Sequence, residues 1–477
     1  MLRYLVIGVQ AQILHSVLNY QGDGLVPVLI QMKAPARLIE KIRNATFPSS
    51  DARAEELVRR LQAFSVRTQK LLIPLLDKLR AENEASQFRS YFVSNTVAVE
   101  ATQKAIAQIY DLNDVYKIGP NFISTPLRHR RDYFYPESGT QANPAQAPVV
   151  YGPALKRIGI HQVNPRIVRK AKKLKYANMD SGTDYSHPSL ADSYSGYNGK
   201  SFNHSYAWFD ASRDVSPLYP QDTLGHGTKV LSLAVGKHPI GISPRSKWIA
   251  CLSNKHHANP TELYLSCQQF LLAPTNLKGE TPLPRLRPHV IGNSWGCTKE
   301  ENCFSDPFKH SDNAIHAAGI FSVSAAGNFG YKGCSSVDHP PTENIHAFVV
   351  GALESDSNRR SAFSSMGPGR LRPNAIDVVV PAQHLLVANR NQQYDYSTGT
   401  SAAAAIVGGS ALLVMAACPH LQREPDALAK VLQASATPLY PTLGCGNDTP
   451  TSLPNNEFGY GMLNITSAIN LCRVRKK

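Results

Sequence analysis

Apolar positions change their spacing along the chain, and three regimes can be told apart. In the first, from 24 to about 120, Val26-Pro27-Val28-Leu29-Ile30-Gln31-Met32 is a short β-type run. Residues 51–80 follow, rich in Ala, Leu, Arg, Glu and Lys. Their apolar positions Leu57, Leu61, Phe64, Leu71, Leu75 and Leu79 recur at three- and four-residue steps, which predicts a helical face turned to a core. Residues 91–99 then read as a strand, 102–110 as a short helix and 114–118 as a last strand. That β-α-β-α-β order predicts a small α+β domain.

In the second regime, 121–150, the periodicity disappears. Pro126, Pro136, Pro144 and Pro148 mark a linker, and Arg128-His129-Arg130-Arg131 within it is either a processing site or a solvated charge cluster. From 151 to 477, apolar runs at 176–179, 248–251, 289–292, 320–324 and 347–351 alternate with helical stretches such as 263–272 and 312–318. Continuous apolar strands with intervening helices predict an α/β fold, a doubly wound, mostly parallel sheet covered on both faces.

Composition narrows the classes. The 477 residues carry 50 Lys and Arg against 35 Asp and Glu, a net charge of +15. The positive charge is dispersed apart from Arg128–Arg131 and the run 166–175, and no basic segment is interleaved with aromatics, so nucleic acid is not an expected partner. An anionic-surface role is permitted by the charge but required by no motif. The pattern shows no run of about 18 apolar residues, so no membrane span is expected. Residues 1–23 carry one early basic residue and a short apolar run, a weak leader pattern. Sequons begin at Asn44, Asn203, Asn447 and Asn464, and with the leader pattern they point to secretion. All eight cysteines lie after residue 250, without the paired spacing of a zinc site. Cys297 with Cys303, and Cys251 with Cys267, are candidate disulfides; buried reduced thiols are the other reading.

Four segments carry groups with chemistry. Asp180 ends an apolar strand, His226 lies between glycines at the start of an apolar helix, Asn328 ends another strand, and Ser401 opens a long Ala-rich helix. Peptide hydrolysis needs a nucleophile, a base, a group that orients the base, and donors for the oxyanion. A serine at a helix N-terminus has unsatisfied N–H groups and a positive dipole end beside it. Each segment alone has an ordinary structural explanation: a turn, a helix cap or a loop. Their combination and order carry the signal.

Those segments resemble the subtilisin family. Met179-Asp180-Ser181-Gly182, His226-Gly227-Thr228, Asn293-Ser294-Trp295-Gly296, Ala325-Ala326-Gly327-Asn328 and Gly399-Thr400-Ser401 look like its motifs, in its chain order. Lys247-Trp248-Ile249-Ala250-Cys251 and Asp338-His339-Pro340-Pro341 are similar to the bacillopeptidase F-like branch, whose N-terminal propeptide the 24–120 domain resembles. The resemblance implies Ser401 as nucleophile, His226 as general base and acid, Asp180 as its orienting carboxylate, and Asn328 in the oxyanion hole. It also implies Ser294, Trp295, Gly296, Ala325, Ala326, Gly327 and Phe329 along the substrate strand. Polypeptides are the implied substrates, the chain's own N-terminal domain its inhibitor, and a monomer the expected state.

Departures from the family are specific. Ala402 and Ala405 stand where Met and Pro are usual, Lys229 where a second His is usual, and Phe329 follows the oxyanion Asn, favouring small or apolar side chains in the adjoining pocket. The short stretch 235–241 lacks the Asn-rich insertion of the family's strong calcium site, so neither cofactor nor metal is expected. The basic run 166–175 replaces a Gly-rich approach to Asp180. Competing readings are a catalytically silent or propeptide-locked peptide-binding protein, and an esterase; Gly399-Thr400-Ser401-Ala402-Ala403 does not match the esterase Gly-x-Ser-x-Gly elbow.

Overall fold

Strand alternation in the N-terminal region sorts its apolar residues onto two faces of a five-stranded sheet. The computed structural model describes residues 12–21, 24–122, 150–212, 219–256, 259–297 and 302–474. The sheet comprises β1 (Gln12–Ile13), β2 (Val26–Met32), β3 (Arg89–Tyr91), β4 (Thr96–Ala101) and β5 (Val115–Pro120), in the order β1-β5-β2-β4-β3. Counting helices of eight or more residues, α1 (Ala36–Asn44), α2 (Ser50–Thr68), α3 (Leu72–Ala81) and α4 (Gln103–Tyr110) accompany it. Val26, Val28, Ile30, Val97 and Val99 face one way, into a core shared with Leu72, Leu76 and Ile106. Leu29 and Ala98 face the other way.

Two details differ from the sequence pattern. The helix expected over 51–80 is broken at 69–71. Pro74 lacks an N–H and its ring opposes the carbonyl four residues earlier, so a new helix starts at Leu72. The break shifts the phase: Leu71 is exposed, while Leu72, Leu76 and Leu79 are buried. Helix α1 was not anticipated, and β1 adds a parallel edge strand ahead of residue 24. The linker charges Arg128–Arg131 and the first part of the leader-like stretch lie outside the described residues.

The larger domain has the expected α/β architecture. Its strands are β6 (Lys175–Asp180), β7 (Trp208–Asp210), β8 (Lys247–Leu252), β9 (Val290–Asn293), β10 (Phe321–Ala325), β11 (Phe348–Leu353) and β12 (Val378–Pro381). Their order is β12-β11-β10-β9-β6-β8-β7, and every described pairing is parallel. The chain fills the β8 side of β6 first and then crosses to β9, so the ends of β6 and β9 form a topological switch point. A separate hairpin pairs β13 (Leu385–Asn389) with β14 (Gln393–Ser397). Helices α5 (His226–Val235), α6 (Thr261–Leu272), α7 (Asp306–Ala317), α8 (Thr400–Ala417), α9 (Pro425–Ala434) and α10 (Ile465–Val474) cover the sheet.

Helix α8 is the centre of this domain. By length and composition it is apolar enough to cross a membrane, a feature the pattern reading passed over, but it is buried inside the protein. Gly408 and Gly409 in its middle permit close packing: a Cβ at Gly408 would come within 2.6 Å of the Tyr176 ring, and one at Gly409 within 2.6 Å of the Ala234 carbonyl oxygen. The basic run before β6 also finds a physical account. Ile167, Ala171 and Leu174 turn inward while Arg166, Arg169, Lys170, Lys172 and Lys173 face solvent.

All eight cysteines pair, as Cys251–Cys267, Cys297–Cys303, Cys334–Cys445 and Cys418–Cys472. The first two match the local pairs expected from sequence.

The two domains share one apolar core. Ile39, Ile42, Leu57, Leu61 and Tyr91 of the N-terminal domain cluster with Leu265, Phe304, Phe308 and Ile315 of the larger one. Polar contacts ring that core: Arg287 Nη1 donates to Asp51 Oδ1 at 2.7 Å, Lys117 Nζ to Asp306 Oδ2 at 2.6 Å, and Tyr91 Oη to Glu262 Oε2 at 3.2 Å.

Candidate active site

The ends of β6, β9 and β10 and the starts of α5 and α8 converge at the switch point. Asp180, the last residue of β6, is fully buried. Its Oδ1 lies 2.7 Å from His226 Nδ1 and also accepts the Ser181 N–H at 2.7 Å. A carboxylate can only accept here, so Nδ1 carries the hydrogen and donates it, which leaves Nε2 as the lone-pair nitrogen. Asp180 Oδ2 is buried without a hydrogen-bond partner among the described residues.

His226 is the first residue of α5, and its position is held by Asp222. The Asp222 Oδ1 accepts from Gly225 N at 2.7 Å, Leu224 N at 3.2 Å and Ser181 Oγ at 2.8 Å; its Oδ2 accepts from Thr228 N at 2.8 Å and Thr228 Oγ1 at 2.6 Å. The carboxylate thus takes the N–H groups of Thr228 and of the N-cap Gly225, complementing the helix dipole, while Ser181 Oγ takes the Gly227 N–H at 2.9 Å. Asn178 on β6 adds a bond from Nδ2 to the Gly227 carbonyl at 3.0 Å. Lys229, the sequence's unusual charge near the site, is neutralised by Asp395 on β14, with Nζ 2.5 Å from Oδ2.

Ser401 stands in the first turn of α8, which packs against α5. Ser401, Asn328, Ser294, Trp295, Ala325 and Gly327 line one small cleft, joined by Thr400 and His339. Asn328 Oδ1 accepts from both the backbone N–H and the hydroxyl of Thr400, at 3.0 and 2.9 Å. That pair assigns the amide orientation and makes Nδ2 its outward donor end. Thr400 Oγ1 in turn accepts the Gly327 N–H at 3.1 Å.

Other expected site residues take supporting places. The Trp295 ring is buried, stacked on Tyr264 at 4.2 Å, and its Nε1 donates to Asn293 Oδ1. Ala326 donates its N–H to Val350 O at 3.0 Å. Phe329 is buried behind His339, its ring edge-on at 6.0 Å, and does not line the cleft. His339 was missed in the sequence. Its buried ring fills the space between Gly296 and Gly327, where added Cβ atoms would come within 2.7 and 2.8 Å of it. Burial pushes its imidazole below the ordinary range, so it presents an uncharged surface. Asp222 and Thr400 were missed as well, although both adjoin recognised segments.

Comparison with known proteins gives the lineage. The model of the subtilase family matches residues 171–461, more than half of the chain. The chain belongs to the subtilase family. Bacillopeptidase F of Bacillus subtilis is 28% identical over 434 residues, which cover 87% of this chain and 28% of that protein. The thermophilic serine proteinase of Bacillus sp. (strain AK1) is 26% identical over 243 residues, covering 50% of this chain and 51% of the relative. The chain therefore spans less than a third of the first relative and about half of the second. Among solved structures, an epidermin leader peptide processing serine protease from Staphylococcus aureus superposes with a TM-score of 0.61 at 15% identity, covering 94% of this chain and 99% of that one, a likeness of fold.

Proposed function

We propose that the protein is a serine endopeptidase in which Asp180, His226 and Ser401 form the triad and Asn328 supplies an oxyanion donor. The carrying observation is the 2.7 Å bond from His226 Nδ1 to the buried Asp180, set beside a cleft lined by both Ser401 and Asn328. In this reading His226 Nε2 takes the Ser401 hydroxyl proton as Oγ attacks a peptide carbonyl. The oxyanion is held by Asn328 Nδ2 and the Ser401 N–H, which α8 leaves without an intrahelical partner. The imidazolium returns its proton to the leaving amine, and water repeats the cycle on the acyl-enzyme.

The substrate is an extended polypeptide pairing with the backbone of 294–296 and 325–327, so much of its affinity is main-chain. The N-terminal domain acts as inhibitor and folding partner, which its shared core with α6 and α7 supports. Chain processing falls between 121 and 150. Four disulfides suit an oxidising, extracellular setting.

Labelling with a fluorophosphonate probe tests the mechanism. The parent chain, or its processed product, is expected to label, and Ser401→Ala to abolish labelling. No labelling of any folded form would refute the assignment. Intact mass and N-terminal sequencing are expected to find a product starting within 121–150 in the parent but not in Ser401→Ala.

A further inference from the structure

Away from the cleft, three side chains of the larger domain meet where the N-terminal domain docks. His316 lies in the last turn of α7, His346 just before β11, and Asp426 in the first turn of α9. One ligand-capable atom of each lies within 4.8 Å of the others. His316 Nε2 is 2.9 Å from Asp426 Oδ1, and the two imidazoles stack at 3.7 Å between centroids. His316 is buried, and its Nδ1 has no hydrogen-bond partner among the described residues.

A cation from the other domain already faces this group. Arg43 on α1 places Nη1 3.2 Å from His346 Nε2. Guanidinium only donates, so this histidine nitrogen must present a lone pair. The remaining nearby cation, Arg372, is matched by Asp377 at 3.1 Å. Two imidazoles and a carboxylate within this reach, one nitrogen of them presenting a lone pair to Arg43, are the donor set of zinc and copper sites.

The geometry points to a divalent transition-metal site formed by His316, His346 and Asp426, which Arg43 of the N-terminal domain caps with its own positive charge, so that metal and a seated Arg43 exclude one another. Metal–ligand bonds of about 2.0–2.2 Å require the stacked rings to fan apart and the donors to draw closer. The half-buried His346 and exposed Asp426 have room for this. The site stands independently of the proposed peptidase activity.

Titration calorimetry of Zn²⁺ into the intact Ser401→Ala chain, checked by mass, tests the proposal. Arg43→Ala in that background is expected to bind one Zn²⁺ at least tenfold more tightly, with Co²⁺ giving tetrahedral visible bands. Adding His346→Gln, or His316→Gln, is expected to return binding to baseline. Because His346 is half-buried, its glutamine variant is the control least prone to misfolding. Equal affinity with and without Arg43, binding that survives both glutamine substitutions, or no binding in any chain would each overturn it.

Discussion

Thr400 grips Asn328 twice, its N–H and its hydroxyl both meeting Oδ1 at 3.0 and 2.9 Å. The amide proposed as an oxyanion donor is thereby held in one orientation. Asn328→Ala is expected to lower kcat about 10²–10³-fold with little change in KM, a magnitude taken over from subtilisin itself. Thr400→Ala keeps the N–H contact and loses the hydroxyl, so its loss of kcat should be smaller. Steady-state kinetics on a peptide substrate would measure both. A Thr400→Ala loss falling on KM alone would contradict the positioning role.

Asp222 gathers five hydrogen bonds at the start of α5. Removing a charged acceptor of this kind costs about 1.5–3 kcal/mol. Asp222→Ala should lose that much stability in urea unfolding, measured in a Ser401→Ala background, and kcat should fall in the otherwise unaltered chain. Unchanged unfolding and unchanged kcat would show that the helix start is held by other groups.

The disulfides enclose very different lengths of chain. Cys334–Cys445 spans 111 residues and Cys297–Cys303 spans 6. By chain entropy a loop near 100 residues contributes about 4.7 kcal/mol. Paired serine substitutions at Cys334 and Cys445 should therefore lower the unfolding midpoint well below that of the Cys297/Cys303 pair. The reverse order would count against the entropic account.

Asp312 is buried on α7, and desolvation pushes its carboxyl up to about 8 despite a bond from Gln268. The folded chain thus holds a proton that the unfolded chain releases near pH 4. Stability from this group is complete below pH 4 and declines as pH rises toward about 8. Asp312→Asn should flatten that decline in unfolding curves collected from pH 4.5 to 8.5. A slope unaltered by the substitution would exclude Asp312 as its source.

The His339 ring fills the space between Gly296 and Gly327 beside Ser401. A buried ring in that position leaves room for small, uncharged side chains before the bond that the proposed reaction cleaves. The expected preference rests on His339, with Phe329 behind it. His339→Gly should raise kcat/KM for large apolar residues at that position by about tenfold or more. A peptide library showing a charged preference in the parent would defeat this view.

The core of the larger domain was legible in the sequence because its strands are continuous apolar runs, and β6, β8, β9, β10 and β11 fall where those runs lie. The segments of the proposed triad were legible because each sits at a strand end or helix start with glycine nearby. Short elements were not: β7 and the β13–β14 hairpin are three to five residues long and give little periodicity. Leu71 and Leu75 continued a helical rhythm that Pro74 interrupts, so composition outweighed a local steric fact. His339, Thr400 and the 316–346–426 cluster depend on contacts between distant segments, which spacing cannot encode.

Ile39, Ile42 and Leu57 sit in the same oily interior as Phe308 and Ile315. A nick in the connecting segment would remove a tether while leaving that interior intact. Hydrolysis of one bond would then yield a tight two-piece particle, still latent, and the onset of proteolysis would be timed by how fast the smaller piece escapes or is digested.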